Sequence, residues 1–578
     1  MRPWGNDMVG SPLRSSVLAI FLLTVFSVLA AQRQLNIGPP PLFGHADTLR
    51  GTLTPERRCY DVGYYHLDVK IDPSARFIVG SNTISFRVDS TFDRMQLDLF
   101  ANMSIDTVTL DENTAPLPFE RDSNAFFVRL PHPLVKSSSH HLKVSYSGSP
   151  VVARNPPWQG GFTWAEDSSG KPWTVVTCQG TGASLWWPNK DHQSDEPDSM
   201  LISVTVPRDL MDISNGRLRK ITDLPDGWTR YDWFVSYPIN NYNVTVNIGN
   251  YAHFADSYMS GDEELTLDYY VLPPNMPRAK KTFEQVKTML RVFESSFGKY
   301  PFIRDGYKLV ECPHNGMEHQ TAIAYGNRYL QGYKGRASSQ VGLKFDFIIV
   351  HESAHEWWGN SVTSKDIADM WIHESFAAYA EALYVERVFG RDEALKYINA
   401  KKQNVRNIDP IIGVYNVHRQ GSGDMYDKGQ LVLNTLRNVI DDDNLWISIL
   451  RGLQEDYRYR TITTDTIIQY VNGKTGRDYA YFFSQYLRFP KIPQLEIQIR
   501  EKGSTITARY RWNADVNDFH MPVKVTTSSN RYEFIYPTTS WQTMELRGIR
   551  PEDFKVAENL FYVDVKLNTG YLDPRLGD

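Results

Sequence analysis

The stretch Val350–Glu386, VHESAHEWWGNSVTSKDIADMWIHESFAAYAEALYVE, decides how this 578-residue chain is read. It carries His351, Glu352 and His355 as HExxH, then eighteen residues, then Glu374. Residues four apart on an α-helix lie about 6 Å apart along the axis and roughly 40° apart around it. His351 and His355 can therefore point two imidazoles at one ion. Phe345, Ile348, Ile349 and Ala354 fall near a 3.6-residue period and Gly359-Asn360 supplies a stop, so a helix is expected here. A second helical run, Trp371 to Phe389, closes at Gly390 and brings Glu374 alongside the first. Two neutral imidazoles and one carboxylate leave Zn²⁺ an open position, the pattern of a catalytic rather than a structural site. Glu352 follows the first ligand, where it reaches a water on the same ion. One Zn²⁺ per chain is the expected cofactor.

The chain is long enough for three or four domains. Its 41% hydrophobic and 22% charged content is that of a soluble globular protein. A net charge of −5 with no basic run excludes a nucleic-acid footprint. Arg2 and Arg14 precede an apolar run from Val17 to Ala31 that ends in small residues. Residues 1–31 therefore read as a secretory signal peptide cut after Ala30 or Ala31, with an uncleaved anchor as the alternative. The expectation is export to the periplasm or the medium, without stable membrane insertion. Cys59, Cys178 and Cys312 are too few for a disulfide framework, though one pair could form.

Residues 32–58, with Pro39-Pro40-Pro41 and no periodicity, read as a linker or extended arm. Short alternating strands such as Tyr65–Ile71 and Thr83–Val88 follow and define a β-rich domain over 59–253. Within it, Asp195-Glu196-Pro197-Asp198 reads as a loop with a solvated acidic cluster. Phe283, Val286, Leu290, Phe293 and Phe297 mark a helix from Arg278 to Gly298, and Tyr307–Cys312 a strand. Further helical runs cover 392–405, 426–440, 445–457 and 478–487, completing a mainly α catalytic domain over 254–488. Strands return as Leu495–Ile499 and Thr505–Tyr510 in a small β domain over 489–578.

HExxH followed by eighteen residues and Glu, with WIHESFAAYAE around Glu374, resembles the gluzincin aminopeptidases of peptidase family M1. Four more stretches carry the resemblance: Asn315-Gly316-Met317-Glu318-His319 at the place of GxMEN, Tyr426-Asp427-Lys428-Gly429, Cys178-Gln179-Gly180, and Phe297-Gly298-Lys299-Tyr300-Pro301-Phe302. It covers nearly everything from Cys59 onward. It implies a multidomain α+β fold: a saddle-like N-terminal β domain, a thermolysin-like catalytic domain and a small C-terminal β-sandwich. Asn315 and His319 depart from the family's Gly and Asn, which bears on the shape of the first side-chain pocket. His418 stands where the leukotriene-hydrolase branch has Asp, which argues against epoxide hydrolysis. Many members carry a large helical domain after the small β domain, and the cleft here is expected to lack that roof.

The resemblance implies a zinc aminopeptidase acting on peptides with a free amino terminus. His351, His355 and Glu374 would hold the metal, Glu352 would be the general base, and Tyr426 would stabilise the oxyanion. Glu318 and Gln179 would bind the substrate amine, with Gly316 and Met317 on the strand beside them. Gly316 also has a backbone reason, since without a Cβ a peptide can lie close. The alternatives are a thermolysin-like endopeptidase and an exported adhesion or binding protein with a vestigial zinc site. The first leaves Glu318 without an ammonium partner, and the second should have lost Glu352 or Tyr426.

Overall fold

Alternating burial builds the first half of the chain. Strand Tyr60–Asp72 buries Tyr60 and Val62, then Tyr65, Leu67, Val69 and Ile71. A bulge between Val62 and Tyr64 resets the phase so that both sets face one core. This strand lies inside a seven-stranded sheet ordered Arg217–Leu224, Trp228–Val235, Ser199–Pro207, Tyr60–Asp72, Phe77–Val88, Ser139–Gly148, Met103–Leu110. Its pairing with Ser199–Pro207 is parallel and with Phe77–Val88 antiparallel. A three-stranded and a four-stranded sheet complete the domain, and Trp186 and Trp187 are fully buried in its core. The computed structural model describes residues 43–502, 505–528 and 531–569. The expected signal peptide and the first part of the arm lie outside the described residues.

The helical region begins on a sheet ordered Ala252–Ser260, Glu263–Val271, Tyr307–Glu311, Ile323–Tyr325, whose last two pairings are parallel. Helix α2 (Phe347–Ala354) packs on its last strand, and α1 (Gln285–Phe297) and α3 (Trp371–Phe389) pack on α2 and on each other, with α4 (Asp427–Ile440) against α3. Helix α2 starts at Asp346, whose carboxylate accepts from the backbone N–H groups of Ile348 and Ile349. Helix α3 is buried on all sides from Trp371 to Val385, as expected of a helix at the centre of a domain. Strands Gln494–Lys502, Thr505–Asn513, Gln542–Arg547 and Asp564–Asn568 form a further sheet, and Val523–Ser528 pairs with Arg531–Ile535. Leu495, Ile497, Trp512 and Phe519 belong to the same hydrophobic core as the helices.

Several expectations change. Helix α2 ends at Ala354 rather than at Gly359, but His355 keeps helical dihedrals (φ −65°, ψ −19°), so the four-residue spacing of the imidazoles survives. The helix expected from Arg278 is two, Met276–Thr282 and α1. The arm is not extended throughout: it contains helices His45–Gly51 and Pro55–Arg58. The buried Arg57 side chain donates to the carbonyls of Leu49, Arg50 and Thr52, which satisfies the open end of the first of these. Helix Thr464–Thr475 was not expected; its capping box uses Thr463 and Thr466, a weaker signal than a Ser/Thr–Glu box. The acidic cluster is not solvated as a whole. Asp195 is buried against the Lys190 ammonium, and burial pushes the Glu196 carboxyl up to about 7. All three cysteines are buried free thiols, so no pair forms.

Helices α3 and α4 touch at Gly429, where a Cβ would meet Ser375 Oγ at 1.9 Å and Ser375 Cβ at 2.5 Å. Gly429→Ala should therefore lower stability by about 1–3 kcal/mol, as overpacking does. In a denaturation double-mutant cycle, Ser375→Gly should recover part of that loss. An unaffected Gly429→Ala protein would show that the helices separate freely.

Candidate active site

Helices α2 and α3 bring three side chains of the quoted stretch to one point. His351 Nε2 lies 3.6 Å and His355 Nε2 3.5 Å from Glu374 Oε2, and one donor atom from each residue lies within 4.8 Å of the others. Each imidazole is oriented from behind. His351 Nδ1 is 2.7 Å from Glu381 Oε1, and His355 Nδ1 is 2.9 Å from the Trp358 carbonyl. With Nδ1 donating in each case, both Nε2 lone pairs face Glu374. Glu374 Oε1 accepts from Tyr426 Oη at 2.9 Å and Gln179 Nε2 at 2.8 Å. Its Oε2 is buried without a hydrogen-bond donor among the described residues. A buried carboxylate oxygen in that condition is costly unless a cation sits against it. Two imidazole nitrogens and that oxygen match the ligand chemistry of Zn²⁺.

Glu352 leaves the same helix beside these ligands and is 7% exposed. Burial outweighs the pull of the two imidazoles and, with smaller help from the Glu318 and Glu374 carboxylates, pushes its carboxyl up to about 8. Gly316, which lines the cleft, has a reason beyond the one expected. A Cβ there would meet Glu352 Oε1 at 2.2 Å, so the glycine makes room for the base itself. Burial and the Glu374 charge raise the Tyr426 phenol well above its ordinary value, which keeps it a neutral donor.

Glu318 is 2% exposed, and burial is the main effect raising its carboxyl. Its Oε1 accepts from Gln179 Nε2 at 2.6 Å and from Tyr242 Oη at 3.3 Å. Gln179 thus donates to Glu318 and Glu374 at once, which leaves its amide oxygen to accept from a ligand. Met317 lies elsewhere: its side chain is 1% exposed and packs in the core of the β-rich domain. His319 is buried beside His314 and lines none of the cleft. The remaining residues share one cavity of about 580 Å³, walled by Trp158, Tyr333, Phe347 and Tyr397.

Sequence reasoning missed Glu381 and Tyr242. Glu381 follows Glu374 by seven residues, two turns along one face of α3, so its spacing was a usable signal. It also accepts from Tyr397 Oη and lies 3.5 Å from Lys401 Nζ, partners that hold it ionised in the core. Tyr242 comes from a short 3₁₀ turn (Asn241–Asn243) of the β-rich domain, and no local pattern marks it.

Two family models match the chain: the peptidase M1 N-terminal domain over residues 62–242 and the peptidase family M1 domain over 281–486. Together they cover more than half of it. Endoplasmic reticulum aminopeptidase 1 of Mus musculus is 24% identical over 288 residues, 47% of this chain. Human glutamyl aminopeptidase is 25% identical over 295 residues, also 47% of this chain. Each match spans 30% of the relative's own length. The crystal structure of an M1 zinc metallopeptidase from Deinococcus radiodurans superposes with a TM-score of 0.63 at 20% identity, covering 76% of this chain and 95% of that one. A two-domain M1 zinc metallopeptidase mutant bound to L-tryptophan gives the same TM-score at 19% identity, covering 75% and 96%. At that identity the likeness is one of fold: a β-rich N-terminal domain followed by a helical catalytic region. The chain belongs to peptidase family M1.

Proposed function

We propose that this protein is a zinc aminopeptidase that hydrolyses the first peptide bond of substrates with a free amino terminus. The observation that carries this reading is the Gln179 amide bridging Glu318 at 2.6 Å and Glu374 at 2.8 Å. It puts a buried carboxylate, with no Lys or Arg partner among the described residues, one side chain away from a metal-ligand cluster. An α-ammonium fits that carboxylate and the Gln179 amide oxygen, and it places the first carbonyl beside the cluster. In an endopeptidase the same carboxylate would lie uncompensated in the path of an extended chain. The peptidase family itself, with an intact Glu352 and Tyr426, speaks against a binding protein with a vestigial site.

His351, His355 and Glu374 would hold Zn²⁺, which when bound supplies Lewis-acid polarisation of the carbonyl and a more acidic water. Glu352 takes a proton from the attacking water and later delivers it to the leaving nitrogen, so the C–N bond breaks with no net change in the base. Tyr426 Oη gives its hydrogen bond to the carbonyl oxygen as negative charge develops there. We also infer export, from the pattern of residues 1–31, and a small sandwich built from the strands after residue 489.

Mutations separate these roles. Glu352→Gln should keep its zinc yet lose at least about a hundredfold in kcat, whereas Glu374→Ala should lose the metal itself. Chelation should lower the melting temperature of the wild type, because the ion no longer stabilises the folded chain. A Glu352→Gln enzyme with near wild-type turnover would remove Glu352 from the base role.

The amine end gives a second pair. Glu318→Ala should weaken kcat/KM on free-amine substrates far more than Gln179→Ala, since a charged partner is lost in one and a neutral one in the other. Equal small effects would return Glu318 to a structural role. Gly316→Ala should lower kcat with zinc retained, because the new methyl displaces the Glu352 carboxylate. Unchanged kcat in that variant would show that the base has room to move.

A further inference from the structure

We propose that Arg50, in the segment ahead of the β-rich domain, is a positioning residue for the amine-binding end of the cleft, acting through the loop that carries Gln179. The proposal rests on the aminopeptidase reading for its substrate. Gln179 opens a turn, Cys178–Ser184, in which Gly180 (φ 68°) and Gly182 (φ 96°) occupy the left-handed region. The Thr181 and Gly182 N–H groups close it on the Cys178 carbonyl at 3.0 and 2.8 Å. Its orientation is fixed from outside as well. Arg50 Nη2 donates to the Thr181 carbonyl at 2.7 Å and to Asp191 Oδ2 at 3.0 Å. Asp191 accepts in turn from the backbone N–H groups of Ala183 and Ser184 at 3.2 and 3.1 Å, and from Ser184 Oγ at 2.5 Å. A Cβ on Gly182 would meet Arg50 Nη2 at 2.2 Å, so the guanidinium is seated directly on the turn.

The arm is held firmly enough to act as an anchor. Arg57 and Asp98 form an ion pair with both side chains fully buried, and Asp98 Oδ2 also accepts from the Asp191 N–H at 3.1 Å. Arg50 and Asp191 are 8% and 7% exposed. Two buried ion pairs are thereby linked through one backbone amide. Burial raises the Asp191 carboxyl, but the Arg50 guanidinium, with smaller contributions from His418 and the hydrogen bonds of Ser184, outweighs it and holds the group below the usual carboxylate range. The same arm touches the segment that leads to Tyr426. The His418 N–H donates to the Asp47 carbonyl at 3.0 Å, and Thr52 Oγ1 donates to the Asn416 carbonyl at 3.0 Å. A Cβ on Gly51 would meet the Val417 carbonyl carbon at 2.1 Å.

The space behind Gln179 is not filled by apolar packing that could replace this anchor. A cavity of about 40 Å³ lies there, lined by Arg50, Gln179, Asp191, Tyr242, Met370 and His418. On that side Cys178, Ile367, Met370 and the Tyr242 ring are the apolar groups among a mostly polar lining. Without the guanidinium, the Thr181 carbonyl and Asp191 lose their shared donor, and the turn can shift the Gln179 amide relative to Glu318 and Glu374. The expected consequence is weaker binding of the ammonium with the proton-transfer groups left in place.

Steady-state kinetics of the zinc-loaded full chain on an aminoacyl amide test this. Arg50→Ala should raise KM about tenfold while kcat stays within about threefold. In a Gln179→Ala background the same substitution should add less than about twofold, because its effect passes through the missing side chain. Millimolar guanidinium should lower the KM of Arg50→Ala and leave that of Gln179→Ala unchanged. Calorimetric binding of leucine amide to the Glu352→Gln protein reads the same step without turnover, and Arg50→Ala should weaken it by the same factor. Should Arg50→Ala fail to fold, Arg50→Lys keeps one donor and should give an intermediate rise in KM. Unchanged KM and amide affinity in the folded variant, or an effect that adds in full to Gln179→Ala, would overturn the proposal. A wild type that binds leucine amide but hydrolyses no aminoacyl amide would overturn the catalytic reading instead.

Discussion

Everything at the centre of this protein depends on one buried oxygen, Glu374 Oε2. It lies 3.5–3.6 Å from two imidazole nitrogens and has no hydrogen-bond donor among the described residues. Burying a carboxylate that way costs several kcal/mol unless a cation compensates it. Three elements converge to keep it there. The Asp346 cap sets the start of α2, the Gly429–Ser375 contact holds α4 against α3, and Gln179 reaches in from the β-rich domain. The carboxylate is also what ties the two halves of the cleft together, since Tyr426 and Gln179 both donate to its other oxygen.

The two ends of the cleft divide the chemistry. One end holds Glu352 and Tyr426, groups that move protons or donate to developing charge. The other holds Glu318, whose buried carboxylate accepts, among the described residues, from the neutral side-chain donors Gln179 and Tyr242. Those donors stabilise a negative charge without cancelling it, and so they leave a site for a cation of defined position. The wide cavity beyond, walled by aromatic rings, gives the rest of a peptide room to lie.

Much of this was legible in the sequence because it is local. His351 and His355 need only four residues of helix, and α3 runs from Trp371 to Phe389 with its stop at Gly390, as its period and glycine indicate. What was not legible depends on distant partners. Tyr242 reaches Glu318 from the β-rich domain, and no local pattern marks it. The arm forms a helix because Arg57 caps it from eight residues away, which a reading for periodicity misses. Asp195 looked solvated because Lys190, five residues earlier, gave no sign that its ammonium would be buried. Met317, taken with its motif, faces the core instead, since neighbouring residues on an extended strand point to opposite sides.

The most direct measurement compares hydrolysis of aminoacyl fluorogenic amides with that of their N-acetylated forms, using protein whose zinc content is determined in parallel. The account predicts one zinc per chain, turnover of the free-amine substrates and none of the acetylated ones. Equal cleavage of both sets would contradict it, because Glu318 would then have no ammonium to hold.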